Sequence, residues 1–142
     1  MKTVVAALIE KDGKYLIAKR KASGEQGGKW EFPGGKVESG ETDAEALERE
    51  IIEEFNTLVV VDKLLATVQI DESRTIKLYS CKHNLGGYQL KDHSEVKWVN
   101  NLIGINSFDL APADLDLLSQ ILPDNRRPTL HELVVGGAHT HE

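Results

Sequence analysis

Three glutamates, Glu50, Glu53 and Glu54, stand at i, i+3 and i+4 in the stretch Arg49-Glu50-Ile51-Ile52-Glu53-Glu54. At about 100° of rotation per residue they share one face of a helix, within roughly a quarter turn. Like charges so spaced repel by roughly a few tenths of a kcal/mol per pair, and a divalent cation is the natural offset. Carboxylate oxygens are hard donors that suit magnesium, with manganese as a substitute, and magnesium keeps room for water and substrate phosphates. The competing reading is a solvated acidic face, and these three residues alone leave the two readings even.

The elements around them shift that balance. Thr42-Asp43-Ala44-Glu45 reads as a capping box, which starts a helix at Thr42 and leaves Glu41 just outside it. Ala44, Leu47, Ile51 and Phe55 recur at spacings of three, four and four and form the expected buried stripe. The Glu50/Glu53/Glu54 face adjoins that stripe, at the margin of a core where a cleft can form. Upstream, Trp30-Glu31-Phe32 reads as short and extended, with Pro33 turning the chain into a glycine turn at Gly34-Gly35.

The run Gly35, five residues, Glu41, seven residues, Arg49-Glu50-Ile51, one residue, Glu53-Glu54 resembles the Nudix box, G-x5-E-x7-R-E-U-x-E-E-x-G-U. Every charged position of that signature is filled. Asn56 and Thr57 replace its last glycine and last aliphatic residue. Asn tolerates the left-handed conformation that ends a helix, and Thr57 suits the start of a strand, so neither change touches the chemistry.

The resemblance, which covers roughly residues 3–122, implies an α/β fold: the Nudix α/β/α sandwich with a mixed sheet. It implies hydrolysis of a nucleoside diphosphate derivative. Glu50, Glu53 and Glu54, the Gly34 carbonyl and Asp92 are then the metal ligands, with Glu95 as the alternative to Asp92. Glu50 or Glu53 serves as general base, and Arg49 orients Glu50 or Glu41. The segment E-F-P-G-G-K-V-E, Arg20 eleven residues before Glu31, and the later L-A-P-A-D look like the MutT branch. That branch implies an 8-oxo-dGTP or CTP/dCTP pyrophosphohydrolase active in nucleotide pool sanitation. On this match Arg20, Glu31, Phe32, Pro33, Gly34, Gly35 and Arg74 line the nucleotide cleft, and Asp114 reads the base. An ionised Asp only accepts hydrogen bonds, which suits an exocyclic amine of cytosine or guanine; its bland reading is a helix N-terminal acid. ADP-ribose and dinucleoside polyphosphates remain alternative substrates, and a non-catalytic nucleotide-sensing module is a further alternative.

The rest of the chain bounds these readings. Its 142 residues, 40% hydrophobic and 28% charged, suit one domain, expected over 1–123, with 124–142 a flexible tail or oligomer contact. The net charge of −6 argues against a nucleic-acid polymer as partner and calls for metal beside a polyphosphate. The single cysteine, Cys81, reads as a packed thiol. The apolar run 3–9 is too short to span a membrane and reads as a strand, so the cytoplasm is the expected location, as monomer or homodimer. Asp12-Gly13 marks a hairpin turn to a strand at 15–19. Further strands are expected at 59–70, as one bent strand or two, and at 75–81 and 95–99. The segment 83–93 is expected as loop, with His93 at the surface or a strand edge. A last helix opens at Pro112, with Leu115, Leu118 and Leu122 as its apolar stripe. In the tail, His139 and His141 read as part of a frayed terminus, and 133–135 as an added strand or dimer contact.

Overall fold

The computed structural model describes residues 2–123. The chain opens with β1 (Lys2–Lys11) and β2 (Lys14–Arg20), joined at Asp12-Gly13, where both residues have positive φ, 53° and 77°. Such a two-residue turn carries the right-handed strand twist across the hairpin. Next come β3 (Trp30–Glu31), β4 (Gly34–Lys36) and α1 (Asp43–Phe55). They are followed by β5 (Leu58–Asp71), β6 (Arg74–Leu85) and β7 (His93–Val99), then α2 (Leu102–Ile105) and α3 (Pro112–Ile121).

The strands form one mixed sheet in the order β3-β2-β1-β6-β5, with β4 also beside β1 and β7 beside β2. β1 and β6 run parallel from Lys2↔Arg74 to Glu10↔Lys82. Along its other edge β1 pairs β2 only at Glu10↔Tyr15 and Lys11↔Lys14, then pairs β4 from Val4↔Lys36 to Ala6↔Gly34. The sheet therefore forks beyond the hairpin, and the fork opens beside Val4, Val5 and Ala6. β1 is apolar on both faces because both are covered, the signature of a central strand in an α/β fold. Val5, Ala7 and Ile9 pack with Leu47, Ile51 and Phe55 of α1. Ala6 and Leu8 pack on the other face with Leu117 and Leu118 of α3.

Helix α1 begins as its capping box requires. The Glu45 N–H donates to Thr42 Oγ1 at 3.1 Å, and the Thr42 N–H to Glu45 Oε1 at 2.9 Å. It ends at Asn56 in the left-handed conformation, φ 55°, whose N–H donates to the Ile52 carbonyl. Asp43 in the first turn accepts from Lys77 Nζ and the Tyr79 hydroxyl, which ties the helix to β6.

Several expectations change. Gly34-Gly35 is not a turn but strand β4, and neither glycine has positive φ. The segment 59–70 is one strand, β5, with register shifts near Asp62-Lys63 and Leu65. β6 runs to Leu85 and β7 begins at His93, so the loop between them is only 86–92. Thr57 precedes β5 and is buried, its hydroxyl donating to the Gly87 carbonyl. In α1 the fully buried residues are Ala46, Leu47, Ile51 and Phe55, with Ala44 only half-buried. In α3 Leu115 faces solvent, and Leu117 and Leu118 with the Leu122 cap fill the core. The short helix α2 has too few residues to show a periodicity. Cys81 is buried and free, its thiol pushed up to about 12, first by burial and then by the charges of Glu48 and Asp62. Among the described residues no helix is long and apolar enough to cross a membrane. The expectations for 133–135, His139 and His141 lie outside the described residues.

Candidate active site

Arg49 is the hub of the acidic face. Its Nε donates to Glu41 Oε2 at 2.6 Å and one terminal nitrogen to Glu41 Oε1 at 3.0 Å, a bidentate clamp across eight residues. That nitrogen also donates to the Lys36 carbonyl at 3.0 Å, and the other reaches Glu50 and Glu53 at 3.2 Å each. Planar guanidinium geometry allows this fork where a lysine would not. The clamp fastens α1 to the end of β4 and to the turn before the helix. It also holds Glu41 well below the usual carboxylate range, assisted by the Glu38 N–H.

The glutamates of α1 differ in environment. Glu53 is more than half exposed, Glu50 is mostly covered, and Glu54 is buried. Burial foremost, with the charge of Glu53, raises the Glu50 carboxyl against the opposing hydrogen bonds of Arg49 and Glu54 and the Arg49 charge. Glu54 is pushed up to about 9, first by burial, then by the charges of Glu50 and Glu31, with Asp92 contributing. Glu54 Oε1 is buried with no hydrogen-bond partner among the described residues. An unpaired buried carboxylate oxygen costs free energy that a ligand can recover.

The two glycines before the helix serve close approach. A Cβ on Gly35 would lie 2.3 Å from Glu50 Cδ, so Glu50 rests directly on the β4 backbone. A Cβ on Gly34 would lie 1.9 Å from the Val5 carbonyl oxygen, where β4 pairs β1.

At the fork lies a cavity of about 340 Å³ lined by Arg20, Glu31, Phe32, Gly34, Gly35, Lys36 and Asp114, with apolar walls from Val4–Ala6 and Ile76. Asp114 reaches it because the segment before α3 is tied to β3. The Trp30 N–H donates to the Asp109 carbonyl, and the Ala111 N–H to the Trp30 carbonyl. Asp114 is buried and its Oδ1 accepts from the Phe32 N–H at 2.9 Å. Burial pushes its carboxyl up to about 7 against that hydrogen bond, with the Glu31 charge adding to the rise.

Glu31 joins the cavity to the acidic face. Its Oε1 accepts from Arg20 Nε at 2.6 Å and its Oε2 from His93 Nε2 at 2.8 Å. Burial works to raise Glu31, but these hydrogen bonds outweigh it and leave the carboxyl lowered.

The structure thus brings together Arg20, Glu31, Phe32, Gly34, Gly35 and Asp114 at the cavity, with Glu41, Arg49, Glu50, Glu53 and Glu54 beside it. Pro33 is placed between them, its carbonyl accepting from the Ala7 N–H. Asp92 sits in the turn before β7, and its charge is felt by Glu54, whereas Glu95 lies farther along β7 beside Lys97. Arg74 is at the turn between β5 and β6, paired with Asp71 at 2.9 Å, and is not a lining residue of the cavity. Of the two places expected for His93, surface or strand edge, the structure excludes the surface: it is the first residue of β7 and is buried, stacked on Phe55 with ring centroids 5.3 Å apart. Lys36 and Ile76 line the cavity and carry no signal in the sequence that separates them from other strand residues.

Magnesium suits this donor set, which is all carboxylate and carbonyl oxygen and includes the orphaned Glu54 Oε1. Among the described residues no three acidic, imidazole or thiol side chains converge as an ion would require. Arg49 engages both Glu50 and Glu53, so a cation must compete with its guanidinium for them.

Comparison with known proteins agrees with this architecture. A CTP pyrophosphohydrolase of Escherichia coli K12 is 39% identical over 122 residues, spanning 84% of this chain and 90% of that protein. An 8-oxo-dGTP diphosphatase of Proteus vulgaris is 44% identical over 64 residues, 45% of this chain and 57% of that protein. The solution structure of the E. coli ORF135 protein superimposes with a TM-score of 0.72 at 40% identity, over 84% of this chain and 87% of that one. The NUDIX domain model matches residues 4–120, and with nearly the whole described chain inside that match, the protein belongs to the Nudix family.

Proposed function

We propose that this chain is a magnesium-dependent nucleoside triphosphate pyrophosphohydrolase acting on a cytidine nucleotide or an oxidised guanine nucleotide. The observation that carries this reading is the buried, partnerless Glu54 Oε1 in a carboxylate cluster bordering a cavity walled by Asp114. The names of its relatives, a CTP pyrophosphohydrolase and an 8-oxo-dGTP diphosphatase, support the same two substrate classes.

Glu50, Glu53, Glu54, Asp92 and the Gly34 carbonyl would hold the metal, with Mn2+ as a substitute for Mg2+. The ion supplies charge neutralisation and Lewis acidity toward the phosphoryl oxygens. Arg49 keeps Glu41 and the α1 carboxylates in place through its clamp, and Gly35 lets Glu50 approach the cavity backbone. Water adds to a phosphorus of the α–β anhydride, the bridging P–O bond breaks, and a nucleoside monophosphate and diphosphate result. Glu50 or Glu53 takes the proton of the attacking water. The raised carboxyl of Glu50 brings its basicity nearer to neutral pH, which favours that task. Arg20 and Lys36 offer positive charge on the cavity wall.

Asp114 supplies the base selectivity. Its ionised form accepts from N4 of cytosine or N2 of guanine. With a carboxyl near 7 it is also present protonated, and then offers both a donor and an acceptor. The test is magnesium-dependent diphosphate release from CTP, dCTP, dGTP, 8-oxo-dGTP and ADP-ribose. Cytidine or 8-oxo-guanine preference that is lost in Asp114→Ala supports the reading. Turnover of ADP-ribose alone overturns it.

A further inference from the structure

His93 is costly to place where it is. Its ring is buried and stacked nearly flat on Phe55, at an interplanar angle of 9°, and its Nδ1 has no partner among the described residues. Packing alone would be met more cheaply by an apolar ring, since an unpaired buried polar atom is unfavourable. What the imidazole offers instead is Nε2, 2.8 Å from Glu31 Oε2.

The backbone is built to deliver that contact. β2 and β7 pair regularly from Tyr15↔Val99 to Lys19↔Glu95, and the next pair is Arg20↔His93, leaving Ser94 as one extra residue. In an unbroken ladder Ser94 would oppose Arg20, and His93 would share a face with Glu95, away from α1. The bulge turns His93 onto the face where Ala18, whose partner in β3 is Glu31, packs with Phe55. Bulges re-aim side chains in this way beside functional sites. Glu31 then holds two groups at once, His93 on one oxygen and Arg20 on the other, and Arg20 is further fixed by the Glu25 carbonyl at 3.1 Å.

We infer that His93 is a positioning residue of the site: through Glu31 it fixes Arg20 at the wall of the cavity, and by anchoring the start of β7 it fixes the turn that carries Asp92. The inference rests on the nucleotide-hydrolase reading for its kinetic consequence, though not for its structural one. Arg20 lines the cavity, whereas His93 does not, so His93 acts on the substrate only through Glu31. Glu31, already paired with Arg20, is the acceptor, so Nε2 of the ring is the donor in this contact.

The test separates the hydrogen bond from the packing. His93→Phe keeps a ring against Phe55 and removes the donor, and His93→Gln restores a donor N–H near the same point. Two readouts are taken on the full chain: the Arg20 Nε–H signal in nitrogen-15 spectra, and the kinetic constants for the best nucleotide. His93→Phe should lose the slowly exchanging Arg20 signal and raise KM about tenfold, with kcat within about threefold, and His93→Gln should recover both. An Arg20 signal and KM unchanged in His93→Phe overturn the inference. If His93→Phe does not fold, His93→Leu serves as the donor-less variant under the same criteria. If the wild-type protein turns over none of the nucleotides, the substrate assignment falls while the Arg20 signal still decides the role of His93.

Discussion

At the residue scale the decisive side chain is Glu54, because it is both buried and short of a partner. Its folded carboxyl, near 9, lies above the ordinary value of 4.5. Between those values the unfolded chain has given up a proton that the folded chain keeps, so unfolding releases it and stability falls as pH rises. The metal-free protein should therefore melt at progressively lower temperature from about pH 5 to about pH 9. Magnesium should restore most at the alkaline end, where it replaces the missing proton. In Glu54→Gln the decline should be shallower and should end near 7, where Asp114 finishes titrating. Thermal melts with and without magnesium across this range check it, and a Glu54→Gln profile identical to wild type would falsify it. The spacing of Glu50, Glu53 and Glu54 placed them on one helix face from the sequence alone. Their ranking by burial was not readable there, because it depends on what β3, β4 and the Asp92 turn lay against α1.

At the scale of the elements, β4 and α1 meet through two adjacent glycines with different neighbours. Gly34→Ala would drive a Cβ into the Val5 carbonyl, 1.9 Å away, where backbone pairs with backbone and cannot give. That variant should lose about 3 kcal/mol or more of stability in urea titration. Gly35→Ala meets the end of the Glu50 side chain at 2.3 Å, which can swing aside. It should stay folded and lose about a hundredfold in kcat, because Glu50 can no longer rest on β4. A stability loss equal to that of Gly34→Ala would show that Glu50 cannot swing aside, and an unchanged kcat in Gly35→Ala would show that Glu50 does not depend on that contact. Thr42→Ala removes one half of the capping box and should cost about 1 kcal/mol. Its KM should be unchanged, since the cap stands at the end of α1 remote from Glu50, Glu53 and Glu54; a shifted KM would count against this. The capping box and the left-handed Asn56 were legible because short-range chemistry sets helix ends. The β4 strand was not, because a Gly-Gly pair reads as a turn unless the close partners that demand it are known. The bulge at Ser94 was likewise invisible, since the alternation Val96, Trp98 continues back to Ser94 and gives no hint that His93 turns inward.

At the scale of the whole molecule, β1 divides the core in two, and the cluster on its α1 face holds Leu47, Ile51, Phe55 and Cys81 together. The apolar run of β1 made a strand readable, though not its central place in the sheet, and the signature around α1 made the family readable. The fork between β1 and β2 was not, since it follows from where β4 and β7 pair. This arrangement couples the chemistry to the fold, because Glu50 and Glu54 project from the same helix whose other face covers Cys81. The thiol, buried against α1 and pushed up to about 12, reacts slowly in the closed fold, and an opening that lifts α1 from the sheet would expose it. A ligand that binds the closed state and not the open one lowers the open population by the factor one plus its concentration over its Kd. Magnesium held by Glu50, Glu53 and Glu54 on α1, Gly34 on β4 and Asp92 before β7 would bridge three parts of the sheet-and-helix assembly. Cys81 labelling by a thiol reagent should therefore slow in proportion to magnesium concentration once the ion exceeds its Kd. Glu54→Gln should lose that protection while labelling at a similar rate without metal. A labelling rate indifferent to magnesium in the wild-type protein would mean that the ion does not bridge α1 to the sheet, and the ligand set would have to be redrawn without β4 or β7.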